Sequence, residues 1–461
     1  MRLTRKQMLA GAAASALGAA GVYELVDQLS GGEVPSRPSG LPRPAEQHLL
    51  DSVSVILDNN VEVVVPPLHH QLVTANVRAG DVRAARGELS DALEELDRLY
   101  EQTPAGLGVT VAWGLPYFER HVPEAWRAHA PYDRRARKLA LLPARRFPSD
   151  PDETLLEQNE VAVLLRSDSS DHLAHAAKTL FTDLSVFELT SIRRGFVGGG
   201  FGGRRSLPKK VATAAGVPGA DLIPESAQLF LGFTSTQREG LGPRLIANHE
   251  TLGFVRLGPR DYFRNGTCMH VSHLFEDLEA WYLNFDFGER VQTAFTPTKT
   301  DVREGTMTVP QGSKQVDTVR DVERDFRSQG RIGHSAAIQT TSRLQREHIA
   351  EDGTVYERGT AIPQRADFNT LDNPFTWSSR PKVDQLEASP RAGLHFVVFN
   401  PSSDDFHRNR LAMDGVLPDG TRLPLSARDR NQGFNSVLRT THRQNFLVPP
   451  RRHRSFPLAE L

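Results

Sequence analysis

A strand that runs directly into a helix occurs twice in this chain, and this order limits the fold more than any other feature. In "NEVAVLLRS" (159–167) apolar residues alternate, and Ser169 or Ser170 can cap the helix that follows at 171–184. In "TCMHVSHL" (267–274) a second strand leads into the helix "FEDLEAWYLNF". The repeated order predicts an α+β protein whose antiparallel sheets carry helices on one side and pack against each other.

Three further segments fit this prediction. From Val82 to Leu99 the apolar residues recur at helical spacing, with charged residues between them. The stretches "VTVAWG" (109–114) and "GLHFVVFN" (393–400) have the β-branched and alternating character of strands. The chain therefore has enough amphipathic elements for two units of strands and helices.

The N-terminus predicts export. Arg2, Arg5 and Lys6 precede a mildly apolar run of Ala and Gly that is too short and too weakly hydrophobic to span a bilayer. "TRKQML" resembles a twin-arginine (Tat) signal in which lysine replaces the second arginine. We predict a Tat-like signal at 1–30, with an uncleaved anchor as the alternative. A Pro/Gly/Ser-rich flexible linker is predicted at 31–48.

Charge and cysteine content exclude other classes. The chain has 55 Lys and Arg against 56 Asp and Glu, which argues against broad electrostatic binding to nucleic acid. One cysteine, Cys268, excludes an internal disulfide, so an exported form depends on its core for stability.

The stretch "CMHVSH" (268–273) raises the question of a metal site. His270 and His273 are three residues apart, and on a helix such a pair can converge on one ion. On a strand the two side chains point to opposite faces and cannot meet one ion. The β-branched Val271 favours the strand, and with it two separate environments for the histidines.

The order of several segments resembles the dye-decolourising peroxidase family. The similarity extends from about residue 75 to about residue 420, and the order of the segments carries more weight than any single motif. The segments are "GLGVTVAWGLPYFERHVPEAW" (106–126), "RFPSDPD" (146–152), 159–180, "LFLGFTSTQ" (229–237), "NGTCMHVSHLFEDLEAW" (265–281), "GRIGHSAAIQ" (330–339), "YERGTAIP" (356–363) and "GLHFVVFN".

This resemblance implies duplicated ferredoxin-like halves of the dimeric α+β barrel type, with antiparallel sheets and helices packed outside. The first half is expected at 49–225 and the second, which holds haem b in this family, at 226–461. His334 takes the position of the residue that binds the haem iron, and Arg343 is expected to pair with a haem propionate. Hydrogen peroxide and a reducing substrate of unknown identity are the implied partners.

Two positions depart from the family pattern. The catalytic aspartate of the family falls at Ser235, and its distal arginine falls at Ser272. A serine hydroxyl is a poor base near neutral pH and carries no charge. Because His270 shares a strand face with Ser272, we expect His270 to replace the missing acid–base group. An ordinary histidine bonded within the sheet is the alternative reading.

Three other functions stay open at this stage. The chain can bind haem without peroxidase activity, or bind copper or another metal through His270, His273 and His249 and act as an oxidase. It can also be an exported interaction module with an empty cavity. Arg238 and Arg244 are candidates for a displaced distal cation. The sequence does not decide whether the protein forms a homo-oligomer.

Overall fold

Eight long strands pair in one closed ring, which the computed structural model builds from two successive halves of the chain. The structure describes residues 23, 25–30, 42–58, 61–78, 80–198, 206–225, 227, 229–232, 250–297, 301–303, 306–308, 316–349, 353–372, 376–386, 389–425 and 433–461. Among these residues, no helix has both the length and the apolar character needed to cross a membrane.

The ring strands are numbered along the chain. They are β1 (His69–Val77), β2 (Gly108–Gly114), β3 (Val161–Ser167), β4 (Phe187–Phe196), β5 (Thr267–Glu276), β6 (Phe368–Asp372), β7 (Pro390–Asn400) and β8 (Leu438–Val448). Shorter strands are Val55–Asp58, Val61–Val64, Tyr132–Asp133, Lys138–Leu139, Leu155–Leu156, Val255–Arg256, Asp301–Arg303, Thr306–Thr308, His348–Ile349, Val355–Tyr356, Gln364–Arg365 and Thr376–Ser378.

The α-helices lie between the ring strands. They are α1 (Val82–Leu99), α2 (Leu115–His121), α3 (Pro123–His129), α4 (Ser170–Phe181), α5 (Leu207–Ala215), α6 (Leu278–Asn284), α7 (Phe287–Ala294), α8 (Val319–Gln329), α9 (His334–Ser342) and α10 (Ser403–Met413). Residues 23 and 25–30 are helical as well.

Each half has the ferredoxin-like strand order. The first half pairs as β4-β1-β3-β2, and the second as β8-β5-β7-β6, all antiparallel. Phe446 and Leu447 of β8 pair with β2, and Asn369 of β6 pairs with Phe196 of β4, so the two sheets join at both edges. The predicted fold class, duplicated ferredoxin-like halves with antiparallel sheets and helices outside, is confirmed.

The strands are buried on both faces, because one face meets helices and the other lines the inside of the ring. Val161, Val163 and Leu165 of β3 join the core beneath α1 and α4. The alternate residues Ala162 and Leu164 join a second apolar cluster inside the ring. Polar side chains on the ring strands are therefore also buried, and each must find its partners within the protein.

The packed part of the chain begins earlier than the composition suggests. Gln47, within the predicted linker, donates from its side-chain amide to the backbone oxygens of Val111 and Pro449, both at 2.8 Å. The neighbouring His48 is almost fully buried. These contacts lie at the seam between β2 and β8, so residues 42–48 belong to the fold despite their linker-like composition.

Candidate functional site

A row of side chains crosses the helix-facing side of the second half. In the register of the sheet, His270 lies opposite Val398 of β7 and Asn445 of β8, and Arg365 lies opposite Val398. Directly opposed residues on antiparallel strands share a face. We call Arg365, Val398, His270 and Asn445 the outer row, because this face of the sheet is turned toward the helices. Phe406 of α10 packs on it, with the ring centroids of Phe406 and His270 3.3 Å apart.

The hydrogen bonds of the outer row fix the tautomer of His270. The side-chain nitrogen of Asn445 lies 2.9 Å from the backbone oxygen of Leu142 and 3.2 Å from Nε2 of His407, so the amide NH2 faces those acceptors. Oδ1 of Asn445 is then the atom 2.6 Å from Nδ1 of His270, and it must accept from an N–H there. Nε2 of His270 therefore carries a lone pair, and the Ser272 hydroxyl, 2.6 Å away, donates to it.

These bonds occupy both nitrogens of His270. Burial lowers the pKa of His270 well below its ordinary value, and the charge of Arg443 lowers it further. His270 and Ser272 are each only 2% exposed. Proton exchange between His270 and a bound molecule must therefore pass through the Ser272 hydroxyl, unless Phe406 moves away. A role for His270 as a distal base stays a hypothesis.

His334 is the first residue of α9, and Gly333 precedes it as the N-cap. Its ring lies 4.8 Å from the ring of Phe434, and its Nδ1 is buried with no hydrogen-bond partner among the described residues. Burial lowers the pKa of His334 to about 3, and the charges of Arg365 and Arg410 contribute to this shift. The imidazole is therefore neutral at physiological pH, as binding to iron requires.

Two arginines act on His334, and their surroundings differ. Arg410 of α10 forms ion pairs with Asp414 at 2.8 Å and with Asp150 at 3.3 Å. Arg365 makes no ion pair with a described residue, and burial lowers its pKa while the charge of Asp367 raises it. The positive charge of Arg365 is therefore offset by that of Asp367 without a direct ion pair, and it acts on His334.

The residues present fit one part of a haem site and leave another part open. A neutral, half-buried imidazole with Arg365 nearby would suit a ligand to the iron of a cofactor that carries negative charge. Histidine ligands usually donate their second ring nitrogen to an acceptor, and no described residue accepts from Nδ1 of His334. The donor set therefore fits His334 as ligand without a second residue that fixes its orientation.

Other predicted site residues lie elsewhere or outside the described part of the chain. Arg343, at the end of α9, donates from Nη1 to the backbone oxygen of Gly359 at 3.2 Å, so part of its guanidinium is used within the fold. Ser235 lies outside the described residues, as do Arg238, Arg244 and His249. A propionate contact of Arg343 and a catalytic role of Ser235 remain hypotheses.

The opposite face of β5 carries a second row, which lines the inside of the ring. His273 lies opposite His395 of β7 and His442 of β8, and Phe368 of β6 lies opposite His395. The ring of His273 stacks on His395 at 4.7 Å and on His442 at 5.7 Å. We call Phe368, His395, His273 and His442 the inner row.

This arrangement bears on the metal hypothesis. His270 and His273 lie on opposite faces of β5, as the alternation of a strand requires. Among the residues that the structure describes, no group of three or more His, Cys, Asp or Glu is arranged to hold a metal ion. His249, the third histidine of the copper hypothesis, lies outside those residues.

Sequence reasoning missed Arg365, Asn445 and the inner row. Arg365 stands in "PQRADF", where an arginine between a proline and a short apolar stretch gives no signal of a buried charge. Asn445 is 175 residues from His270 in the chain, and only strand pairing brings them together. Alternation in "GLHFVVFN" and in the last strand places His395 and His442 on a face, but it does not show which strands are neighbours.

The fold and this site define a class: two ferredoxin-like halves closed into one ring, with a neutral histidine at the first position of α9 in the second half. Within that class, the chain belongs to the family of unknown function DUF7405, whose family model matches residues 67–450. No curated protein matches the chain.

Several solved structures are similar in fold. Ferric DtpA from Streptomyces lividans has a TM-score of 0.49 at 17% identity, covering 89% of this chain and 96% of its own. The DyP-type peroxidase from Cellulomonas bogoriensis has a TM-score of 0.46 at 16% identity, covering 90% and 96%. The encapsulated DyP-type peroxidase from Mycobacterium smegmatis has a TM-score of 0.45 at 13% identity, covering 85% and 95%. At such low sequence identity and TM-score, these structures carry no argument about the chemistry of this chain.

Proposed function

We propose that this protein is an exported haem-dependent peroxidase, which binds haem b through His334 and uses hydrogen peroxide to oxidise a reducing substrate. The observation that carries the proposal is the half-buried imidazole of His334, whose Nδ1 is buried and whose pKa is lowered by burial and by the charges of Arg365 and Arg410, so that it is neutral. A neutral imidazole is the form that binds iron. Haem, when bound, supplies the iron centre at which peroxide is reduced.

The residues of the chain have separate tasks in this proposal. Nε2 of His334 holds the cofactor, since Nδ1 is the buried nitrogen on the protein side. The guanidinium of Arg365 is proposed to stabilise negative charge that develops beside it, because the charge of Asp367 acts on it without a direct ion pair. Arg343 is proposed to bind a propionate, because a guanidinium suits bidentate contact with a carboxylate.

Ser272 and His270 are proposed to pass a proton as a pair. The Ser272 hydroxyl already donates to Nε2 of His270, so it can take a proton from a bound molecule as its own proton moves to the imidazole. The low pKa of His270 makes the imidazole a weak base, which predicts slow turnover. Ser235 is proposed as a further polar residue of the distal side.

The export part of the proposal rests on the N-terminal sequence alone. The basic residues Arg2, Arg5 and Lys6 and the small-residue run behind them are typical of a Tat signal. Fusion of residues 1–48 to a reporter that acts only outside the cytoplasm tests it. Loss of signal on Arg5→Ala is expected, and a reporter that stays inside in the unaltered fusion contradicts export.

The cofactor and the activity are tested together on the full chain. We expect the protein, supplied with haem, to bind one haem per chain and to oxidise a phenol with hydrogen peroxide. His334→Ala should lose haem, and His175→Ala, a change on α4 in the other half, should retain it. Absence of haem binding contradicts the proposal; haem binding without turnover leaves only a haem-binding protein.

The charge of Arg365 is tested separately. Arg365→Gln is expected to retain haem and to slow peroxide-dependent turnover by roughly 10²-fold, the order of magnitude for loss of one donor to developing charge. The matched control is Arg327→Gln, because the side chain of Arg327 is 77% exposed on α8. Equal rates in Arg365→Gln and the control contradict the assigned role.

A further inference from the structure

The helical residues 23 and 25–30, which the sequence assigns to a removable export signal, are packed into the fold. Val26 is 0% exposed. It belongs to an apolar cluster that also contains Phe196 from the first half and Trp281 and Leu371 from the second. The segment thus helps to fill a core shared by both halves.

Polar contacts hold the same segment at the start of β1. The Tyr23 hydroxyl donates to the backbone oxygen of His70 at 2.6 Å. Oδ1 of Asp27 lies 2.7 Å from Nε2 of His69, and Oδ2 of Asp27 accepts from the Ser170 hydroxyl at 3.0 Å. One carboxylate therefore joins the first residue of β1 to the first residue of α4.

A third contact closes the other end of the segment. Lys210 of α5 donates from Nζ to the backbone oxygen of Leu29 at 2.9 Å. Together, the segment contacts β1, α4 and α5, three elements that are far apart in the chain. A signal that is removed would not be expected to form hydrogen bonds with three elements of the folded domain.

Removal of the segment takes contacts from buried groups of the fold. The His69 side chain is 0% exposed, and its Nε2 lies 2.7 Å from Oδ1 of Asp27. Loss of Asp27 leaves that imidazole buried without its carboxylate, and loss of Val26 leaves a cavity in the shared cluster. Both effects destabilise the folded chain.

We propose that Tyr23 and residues 25–30 are a permanent part of the folded protein and that any processing of the export signal occurs on the N-terminal side of Tyr23. The run "AGAAASALGAAG" (10–21) has the small residues that signal cleavage requires. Proteolysis needs exposed, mobile chain, and the docked helix does not offer it. The signal boundary predicted at residue 30 therefore moves to residue 22 or earlier.

The processing part of this inference rests on the proposed export, and the packing part does not. Intact mass and N-terminal sequencing of the exported, folded protein should place its first residue at or before Tyr23. A folded product that begins after Tyr23 overturns the proposal. A chain that is not exported keeps Met1. That result contradicts the proposed export, and the packing of the segment is then tested by thermal unfolding alone.

Thermal unfolding of the full chain decides the packing. Val26→Asp should lower Tm by about 3 °C or more, since it buries an unpaired charge in the shared apolar cluster; the shift stays this small because the Tm change for a given loss of stability falls as chain length grows. Gln28→Ala, at an exposed position of the same helix, should leave Tm unchanged. Equal Tm values for the two variants overturn the proposal.

Discussion

The two faces of the second-half sheet carry histidines in opposite states of hydrogen bonding. On the outer face, both ring nitrogens of His270 are bonded, to Asn445 and Ser272. On the inner face, His395 is fully buried and neither of its ring nitrogens has a partner among the described residues. The two faces of one sheet thus hold one imidazole with both nitrogens hydrogen-bonded, at His270, and one with neither nitrogen bonded to a described residue, at His395.

The difference shows that burial alone does not assign a role to a histidine. Burial lowers the pKa of both His270 and His395 well below the ordinary value, so charge does not separate them. Their partners do. A saturated network rigidifies its surroundings, whereas an unpartnered buried nitrogen destabilises them or is available to a ligand.

The largest predicted effect is loss of stability in acid. Burial lowers the pKa of each histidine in a set that spans both faces of the sheet: His70, His270, His334, His395, His407 and His442. The unfolded chain regains the ordinary values near 6.5 and binds more protons below that pH. The free energy of unfolding should therefore be highest above about pH 6.5 and fall by up to about 1.4 kcal/mol per pH unit for each histidine.

Urea unfolding between pH 7.5 and 5 measures this slope. The pH down to which each histidine contributes to the slope differs, because the pKa of His407 is about 4 and that of His334 about 3. His395→Phe should reduce the slope, since it removes one of these titrating groups. A free energy of unfolding that does not change over this range contradicts the account.

The second prediction compares His270→Ala with His395→Ala. Both variants remove the same imidazole from the second-half sheet and leave similar cavities. Only His270→Ala also leaves the Asn445 amide oxygen and the Ser272 hydroxyl without a partner. We expect His270→Ala to lower the free energy of unfolding by about 2 kcal/mol more than His395→Ala.

Chemical denaturation at pH 7.5, where both imidazoles are neutral, measures this difference. Equal losses for the two variants, or a larger loss for His395→Ala, remove the distinction between the two rows.

A third and smaller effect concerns Ser272. Ser272→Ala removes one hydrogen bond from the outer row and leaves Nε2 of His270 without a donor. The expected loss in the free energy of unfolding is about 1 kcal/mol. Ser90→Ala, on the exposed face of α1, serves as the control and should change stability by less than about 0.5 kcal/mol. If Ser272→Ala has the same free energy of unfolding as the control, the result contradicts a stabilising hydrogen bond from Ser272 to His270.

Local elements of the fold could be predicted from the sequence, because their signals lie within one segment. The helix from Val82 to Leu99 and the strand in "TCMHVSHL" follow from apolar periodicity and match α1 and β5. The helix predicted at 171–184 is observed as Ser170–Phe181, with Ser169 as its N-cap. The separation of His270 from His273 follows from the same periodicity.

The surroundings of the site could not be predicted in this way. Phe406 and Asn445 reach His270 only because β8 pairs with β5 and α10 packs on the sheet. Neither contact leaves a trace in the sequence around residue 270. The docked segment at residues 23–30 was missed for a similar reason, since its composition is that of a signal and its partners lie on distant elements.

The most direct test of the proposed role of His334 is chemical rescue of the axial ligand. The full chain is supplied with haem, and the absorbance spectra of the wild type and of His334→Gly are compared with and without added imidazole. We expect His334→Gly to lose the spectrum of a histidine-bound haem and to regain it with imidazole, while His175→Gly keeps the wild-type spectrum throughout. A His334→Gly variant with the wild-type spectrum and no response to imidazole would contradict the assignment of His334 as the residue that holds the cofactor.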